Sequence, residues 1–90
     1  MFPSSGRVKQ NVSHYLYLPT EAAASEVATE LRSQSFQTET RLSAAGESWL
    51  VLAHHHVVPS AEYIAEVREV MERLAYRFQG EYDGWEVTVQ

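Results

Sequence analysis

Residues 12–18 alternate, with Val12, His14, Leu16 and Leu18 on one face of an extended chain and Tyr15 and Tyr17 on the other. The run is rich in β-branched, aromatic and aliphatic side chains and stops at Pro19, which predicts a strand. Thr20 then offers a hydroxyl to the first free amides of a helix, and Glu21 suits the positive end of its dipole. Ala24, Val27, Ala28 and Leu31 recur at helical spacing through to Arg32, with Glu26 and Glu30 off the stripe. Small residues along that stripe predict close packing on a sheet.

A second alternation covers residues 36–42, placing Phe36, Thr38, Thr40 and Leu42 together, and its modest apolarity predicts an edge strand. After a turn at 43–47, residues 48–53 are almost wholly apolar, as a central strand requires. The short link makes these two a hairpin. The longest helix is expected over 61–78, capped by Ser60. Ile64, Val67, Met71, Leu74 and Phe78 form its apolar stripe, and Glu69 with Arg73 makes a favourable i, i+4 pair. Gly80 is expected to stop it, Asp83-Gly84 to turn the chain, and residues 85–89 to form a last strand.

The order is β-α-β-β-α-β. Two β-α-β halves around a hairpin predict an α+β, ferredoxin-like fold, a four-stranded antiparallel sheet with two helices packed on one face. Ninety residues suit one domain, with 12–90 folded and the polar stretch 1–11 as a disordered leader. One sheet face is then left open. Alternation alone does not say which face of the first strand is buried. Leu16 and Leu18 make the better core pair, so Tyr15 and Tyr17, together with Trp49, are placed on the open side.

Composition narrows the function. Twelve acidic residues against seven Lys plus Arg give a net charge of −5, and Lys9 is the sole lysine. Phosphate recognition needs clustered positive charge, so direct nucleic-acid binding is disfavoured and a protein partner expected. There is no cysteine, no window apolar enough to span a bilayer as a helix, and no apolar signal segment at the start. A cytoplasmic setting is therefore expected.

Candidate chemistry is sparse. His54-His55-His56 is the most conspicuous cluster, but on a strand only His54 and His56 share a face, and His14 stands alone elsewhere. No metal site is expected. The four glycines are dispersed rather than gathered in a phosphate loop, and no serine lies in a nucleophile-elbow pattern. No catalytic residues and no cofactor are assigned.

The run Gly80-Glu81-Tyr82-Asp83-Gly84-Trp85-Glu86 is distinctive, with an Asp-Gly pair flanked by two aromatic rings. Preceded by Leu74-Ala75-Tyr76-Arg77-Phe78, it resembles the signature of the RraB family, regulators of ribonuclease E activity. The resemblance extends to His14-Tyr15-Leu16-Tyr17-Leu18-Pro19-Thr20 and to the helix start at Pro59-Ser60, spanning about residues 12–89. It covers the domain and not the acidic extensions that longer members carry. It implies a ferredoxin-like fold and a non-catalytic inhibitor that binds the scaffold region of a ribonuclease E-type enzyme. An acidic protein suits docking on a basic segment. The expected contact residues are Glu62, Glu66, Glu69 and Glu72 on the long helix, and Glu81, Tyr82, Asp83, Trp85 and Glu86 beyond it. The alternative is a self-associating or small-ligand-binding module using the open sheet face at Tyr15, Tyr17 and Trp49. The chain is expected to be a monomer or weak dimer.

Overall fold

The computed structural model describes residues 8–88. In chain order they form β1 (Gln10–Leu18), α1 (Glu21–Ser33), β2 (Gln37–Leu42), β3 (Trp49–Val57), α2 (Ala61–Arg77) and β4 (Glu81–Thr88). The strands make one antiparallel sheet in the order β2-β3-β1-β4. Both helices lie on the same side of it, α1 chiefly over β2 and β3, α2 over β4 and β1. This is the expected ferredoxin-like layout. The leader as far as Arg7, and Val89 of the last strand, lie outside the described residues.

β3 and β1 occupy the middle of the sheet, and the inward face of β1 is largely apolar. Val12, Leu16 and Leu18 are fully buried, and Leu16 and Leu18 join Val27, Leu31, Val51 and Met71 in a single core. Each large aliphatic side chain so buried contributes roughly 1.5–3 kcal/mol. The alanine stripe of α1 lets that helix sit close, and Ala24 and Ala28 are sealed against the sheet. Both helices begin as their sequences require. Thr20 Oγ1 accepts from the Ala23 amide at 3.1 Å, and Ser60 Oγ from the Tyr63 amide at 3.1 Å.

Three local expectations are corrected. The strand expected to end at Ala53 runs on to Val57, because His54, His55 and His56 pair with Ser13, Val12 and Asn11 of β1. The same pairing starts β1 at Gln10, two residues before the apolar pattern begins. Asp83-Gly84 is not a turn ahead of the last strand but lies inside β4. Tyr15 pairs with Gly84 and Leu16 with Tyr82, which leaves Asp83 as the extra residue of a β-bulge. Gly84, at φ +111, takes a conformation that suits glycine.

The end of α2 differs in mechanism too. The left-handed residue that closes the helix is Gln79, at φ 60, not Gly80. Gly80 N–H donates to Ala75 O at 2.7 Å and Gln79 N–H to Tyr76 O at 3.1 Å, the two bonds of a Schellman motif. Gly80 is needed for a different reason. A Cβ there would collide with the Tyr17 carbonyl and with Leu18 Cδ1, so only glycine lets the chain pass β1 at this distance.

Candidate functional site

The two segments that carry the sequence signature lie at opposite ends of the chain, and the sheet sets them side by side. β1 pairs with β4, so His14 faces Trp85 across the ladder and reaches Tyr82 beside it. His14 is 1% exposed, the one histidine in the apolar face of β1. A buried imidazole needs partners for both nitrogens. Its Nδ1 lies 3.0 Å from the Tyr82 hydroxyl and its Nε2 lies 3.1 Å from the Tyr63 hydroxyl. Tyr63 in turn reaches His55 Nδ1 at 3.1 Å. The Ser60 cap fixes the backbone of Tyr63 in the first turn of α2, which aims its ring at both histidines. Phe36 closes the cluster edge-on to His14 and 4.3 Å, centroid to centroid, from His55.

Burial sets the charge state of this cluster. Desolvation, with the nearby His55 and His54 adding to it, lowers the His14 pKa to about 4. His55 is lowered by the same desolvation, while Tyr63 and Tyr82 are pushed up to about 12. All four groups are neutral near pH 7. A neutral imidazole with one donating and one accepting nitrogen fits between two hydroxyls. The cluster ties β1, β3, β4 and α2 together, and among its members only rings and hydroxyls meet. Sequence reasoning passed over His14 and Tyr63. The available signal was His14 itself, a polar residue in line with Val12, Leu16 and Leu18.

This anchor holds up an exposed acidic edge. Glu81, Asp83 and Glu86 are solvent-facing on β4, an edge strand of the sheet among the described residues. Trp85 projects to the helix side of the sheet yet remains 41% exposed. With Arg68 and Glu72 of α2, residues Tyr82–Trp85 line a shallow cleft of about 290 Å³. Tyr82, expected at the contact surface, is half-buried with its hydroxyl committed to His14, so it supports the edge.

The long-helix carboxylates divide into two groups. Glu69 is paired with Arg73 at 3.1 Å and Glu72 with Arg68 at 3.3 Å. Glu62 and Glu66 are exposed on the same helix. The acidic character is therefore strongest at β4 and at the start of α2, and weaker along the middle of the helix than the sequence suggests.

On the open side of the sheet stand Tyr15 and Tyr17, opposite Leu52 and Leu50 of β3. Trp49 does not join them. It pairs with the buried Leu18, and cross-strand partners share a face, so it packs against the core under the helices. The open side also carries a hydrogen-bonded chain in which Ser13 Oγ lies 2.9 Å from His54 Nδ1, and His54 Nε2 lies 2.8 Å from Glu39 Oε2. It resembles a nucleophile–base–acid order. Ser13 sits in mid-strand with neighbours on both sides, however, where the amides that would hold an oxyanion are engaged in sheet pairing. The three adjacent histidines have three different surroundings, since His55 meets Tyr63 and His56 Nδ1 lies 3.2 Å from Asn11 Oδ1. Among the described residues no helix is long and apolar enough to cross a membrane.

Residues 5–87 match the model of a protein family, RraB, regulator of ribonuclease activity B. No curated protein matches the chain.

Proposed function

The chain belongs to the RraB family, and on that premise we propose that it binds the basic scaffold region of a ribonuclease E-type enzyme and restrains RNA turnover without catalysis of its own. The family is one of regulators of ribonuclease activity, which supports a regulatory role. One observation carries the reading further. The family-like Tyr-Asp-Gly-Trp segment builds an edge strand on which Glu81, Asp83 and Glu86 are solvent-facing and Trp85, on the helix side, is partly exposed, on a chain of net charge −5. A partly exposed aromatic on an acid-bearing edge strand suits an arginine-rich segment, which offers both guanidinium stacking and opposite charge.

The bulge at Asp83 argues for how the partner is held. A kinked, acid-bearing edge resists the addition of a further strand. Recognition therefore rests on side chains, with Trp85 as the anchor. On this reading the protein works in the cytoplasm, beside the RNA-degrading machinery.

The test is a titration of the purified scaffold region of such an enzyme into this protein, followed by Trp fluorescence at low and high salt. Saturable binding that weakens with salt is expected. Reversing Glu66, Glu81, Asp83 and Glu86 to lysine together should abolish it and remove the salt dependence. Binding that is unchanged in the reversed variant, or absent at about 100 µM of each component, which would place Kd well above the micromolar range, overturns the proposal.

A further inference from the structure

The open face of the sheet has an order of side chains that fits its own two-fold copy. Across one row, the register sets Arg41 of β2 beside Leu50 of β3, Leu50 beside Tyr17 of β1, and Tyr17 beside Glu81 of β4. The row thus reads cation, aliphatic, aromatic, anion, at about 4.8 Å per strand. All four share the face opposite the helices, because their neighbours Leu16, Leu18 and Val51 are buried in the core. Tyr17 and Leu50 are partly exposed, with an ionic side chain at each margin.

Consider two copies laid face to face about a two-fold axis that runs along the strands, midway between β3 and β1. Such an axis leaves height along the strands unchanged, so every row must meet itself in reverse order. Arg41 then opposes Glu81 of the second copy, and Leu50 opposes Tyr17, twice in each dimer. The next row sets Leu52 against Tyr15 and Glu39 against Gly84, and the one after sets His54 against Ser13 and Gln37 against Glu86. In none of these rows do like charges meet. In an isologous interface each contact occurs twice, so a self-matching order counts double and a mismatch would too.

We propose that this open face is a homodimer surface whose register is set by Arg41 of one copy against Glu81 of the other. The patch is about 19 Å wide, which puts it at the low end of specific interfaces, and a dissociation constant on the order of 10–100 µM is expected. Arg41 now pairs with Glu39 at 3.2 Å on the same strand, with both side chains more than half exposed, and is free to turn toward a partner. The dimer surface shares Glu81 with the acidic edge, but its readout is self-association without any ribonuclease present, so its failure is distinguishable from failure of scaffold binding. Arg41 lies on the edge of the sheet away from β4, so its substitution tests the dimer without touching the acidic edge.

Sedimentation velocity on four samples tests it: the wild type, Arg41→Glu, Glu81→Arg, and an equimolar mixture of the two variants. The wild type should show a concentration-dependent dimer between about 10 µM and 1 mM. Each variant alone should bind itself at least tenfold more weakly, because like charges then meet twice. The mixture should recover wild-type association. There the carboxylate introduced by Arg41→Glu in one chain faces the guanidinium introduced by Glu81→Arg in the other, and the second contact of the dimer is the native pair. Both side chains are exposed, and circular dichroism verifies that each variant folds. A wild type that stays monomeric to 1 mM, variants that dimerise as well as the wild type, or a mixture that stays monomeric would each overturn the proposal.

Discussion

The hydroxyl of Tyr82 and Nδ1 of His14 lie 3.0 Å apart, although 68 positions separate them in the chain. That contact joins the first strand to the last and sits directly beneath the acidic edge. Tyr82→Phe keeps the ring but leaves one nitrogen of a buried imidazole without a partner. A loss of about 1–3 kcal/mol in stability is expected, read from the midpoint of urea unfolding. Tyr63→Phe should cost at least as much, because that hydroxyl serves His14 and His55 together. A neutral outcome for both would mean the cluster is held by ring packing alone.

His14 also makes a prediction about acid. Its folded pKa of about 4 lies below the ordinary 6.5, so between those values the unfolded chain takes up a proton that the folded chain refuses. Stability is therefore fully present above pH 6.5, declines as pH falls toward 4, and loses on the order of 3 kcal/mol to this group. His55 acts in the same direction. His14→Gln, which retains polar contacts but does not titrate, should flatten the stability profile through that window. Denaturant melts at half-unit pH steps would show it.

Two adjacent positions after α2 should respond oppositely. Gln79 occupies a left-handed conformation at φ 60, where a side chain is strained, so Gln79→Gly should stabilise by about 1 kcal/mol. Gly80→Ala should destabilise by about 2–3 kcal/mol, because its methyl group would strike the Tyr17 carbonyl. Thermal melts of the two variants separate a need for conformational freedom from a need for space.

The two tryptophans should divide stability from recognition. Trp49 packs against the core, and Trp49→Ser should lower stability by about 2–4 kcal/mol. Trp85 is 41% exposed, and Trp85→Ser should change stability by less than about 1 kcal/mol while removing most of the scaffold binding. Unfolding curves and binding isotherms on both variants would check the assignment.

Much of this architecture can be read from the chain because burial writes a period into it. Leu16 and Leu18 against Tyr15 and Tyr17, the alanine stripe of α1 and the heptad-like stripe of α2 each name an element and the face it buries. What escaped the periodicity is pairwise. Trp49 lies one residue from Leu50, so a strand assigned by composition without a register could put it on either face, and only its pairing with Leu18 decides the matter. Asp83-Gly84 has turn chemistry, and a bulge uses the same backbone freedom, so local residues do not distinguish the two. The link between His14 and Tyr63 is invisible for a different reason. Hydrogen bonds between distant side chains leave no spacing rule in the sequence. The acidic edge was legible as charge, whereas the pairing of Glu69 and Glu72 with neighbouring arginines reduces the helix's share of it.

The placement of β4 against β1 bears on how the protein is made. β1 lies inside the sheet, flanked by β3 and β4, so one of its two rows of backbone groups stays unpaired until residues 81–88 emerge from the ribosome. Helices α1 and α2 and the β2–β3 hairpin can form earlier from local contacts, but Tyr82 can reach His14 only when translation of β4 is complete. A nascent chain that has reached residue 80 thus carries an incomplete sheet, and the acidic strand that completes it arrives together with the surface assigned to its partner.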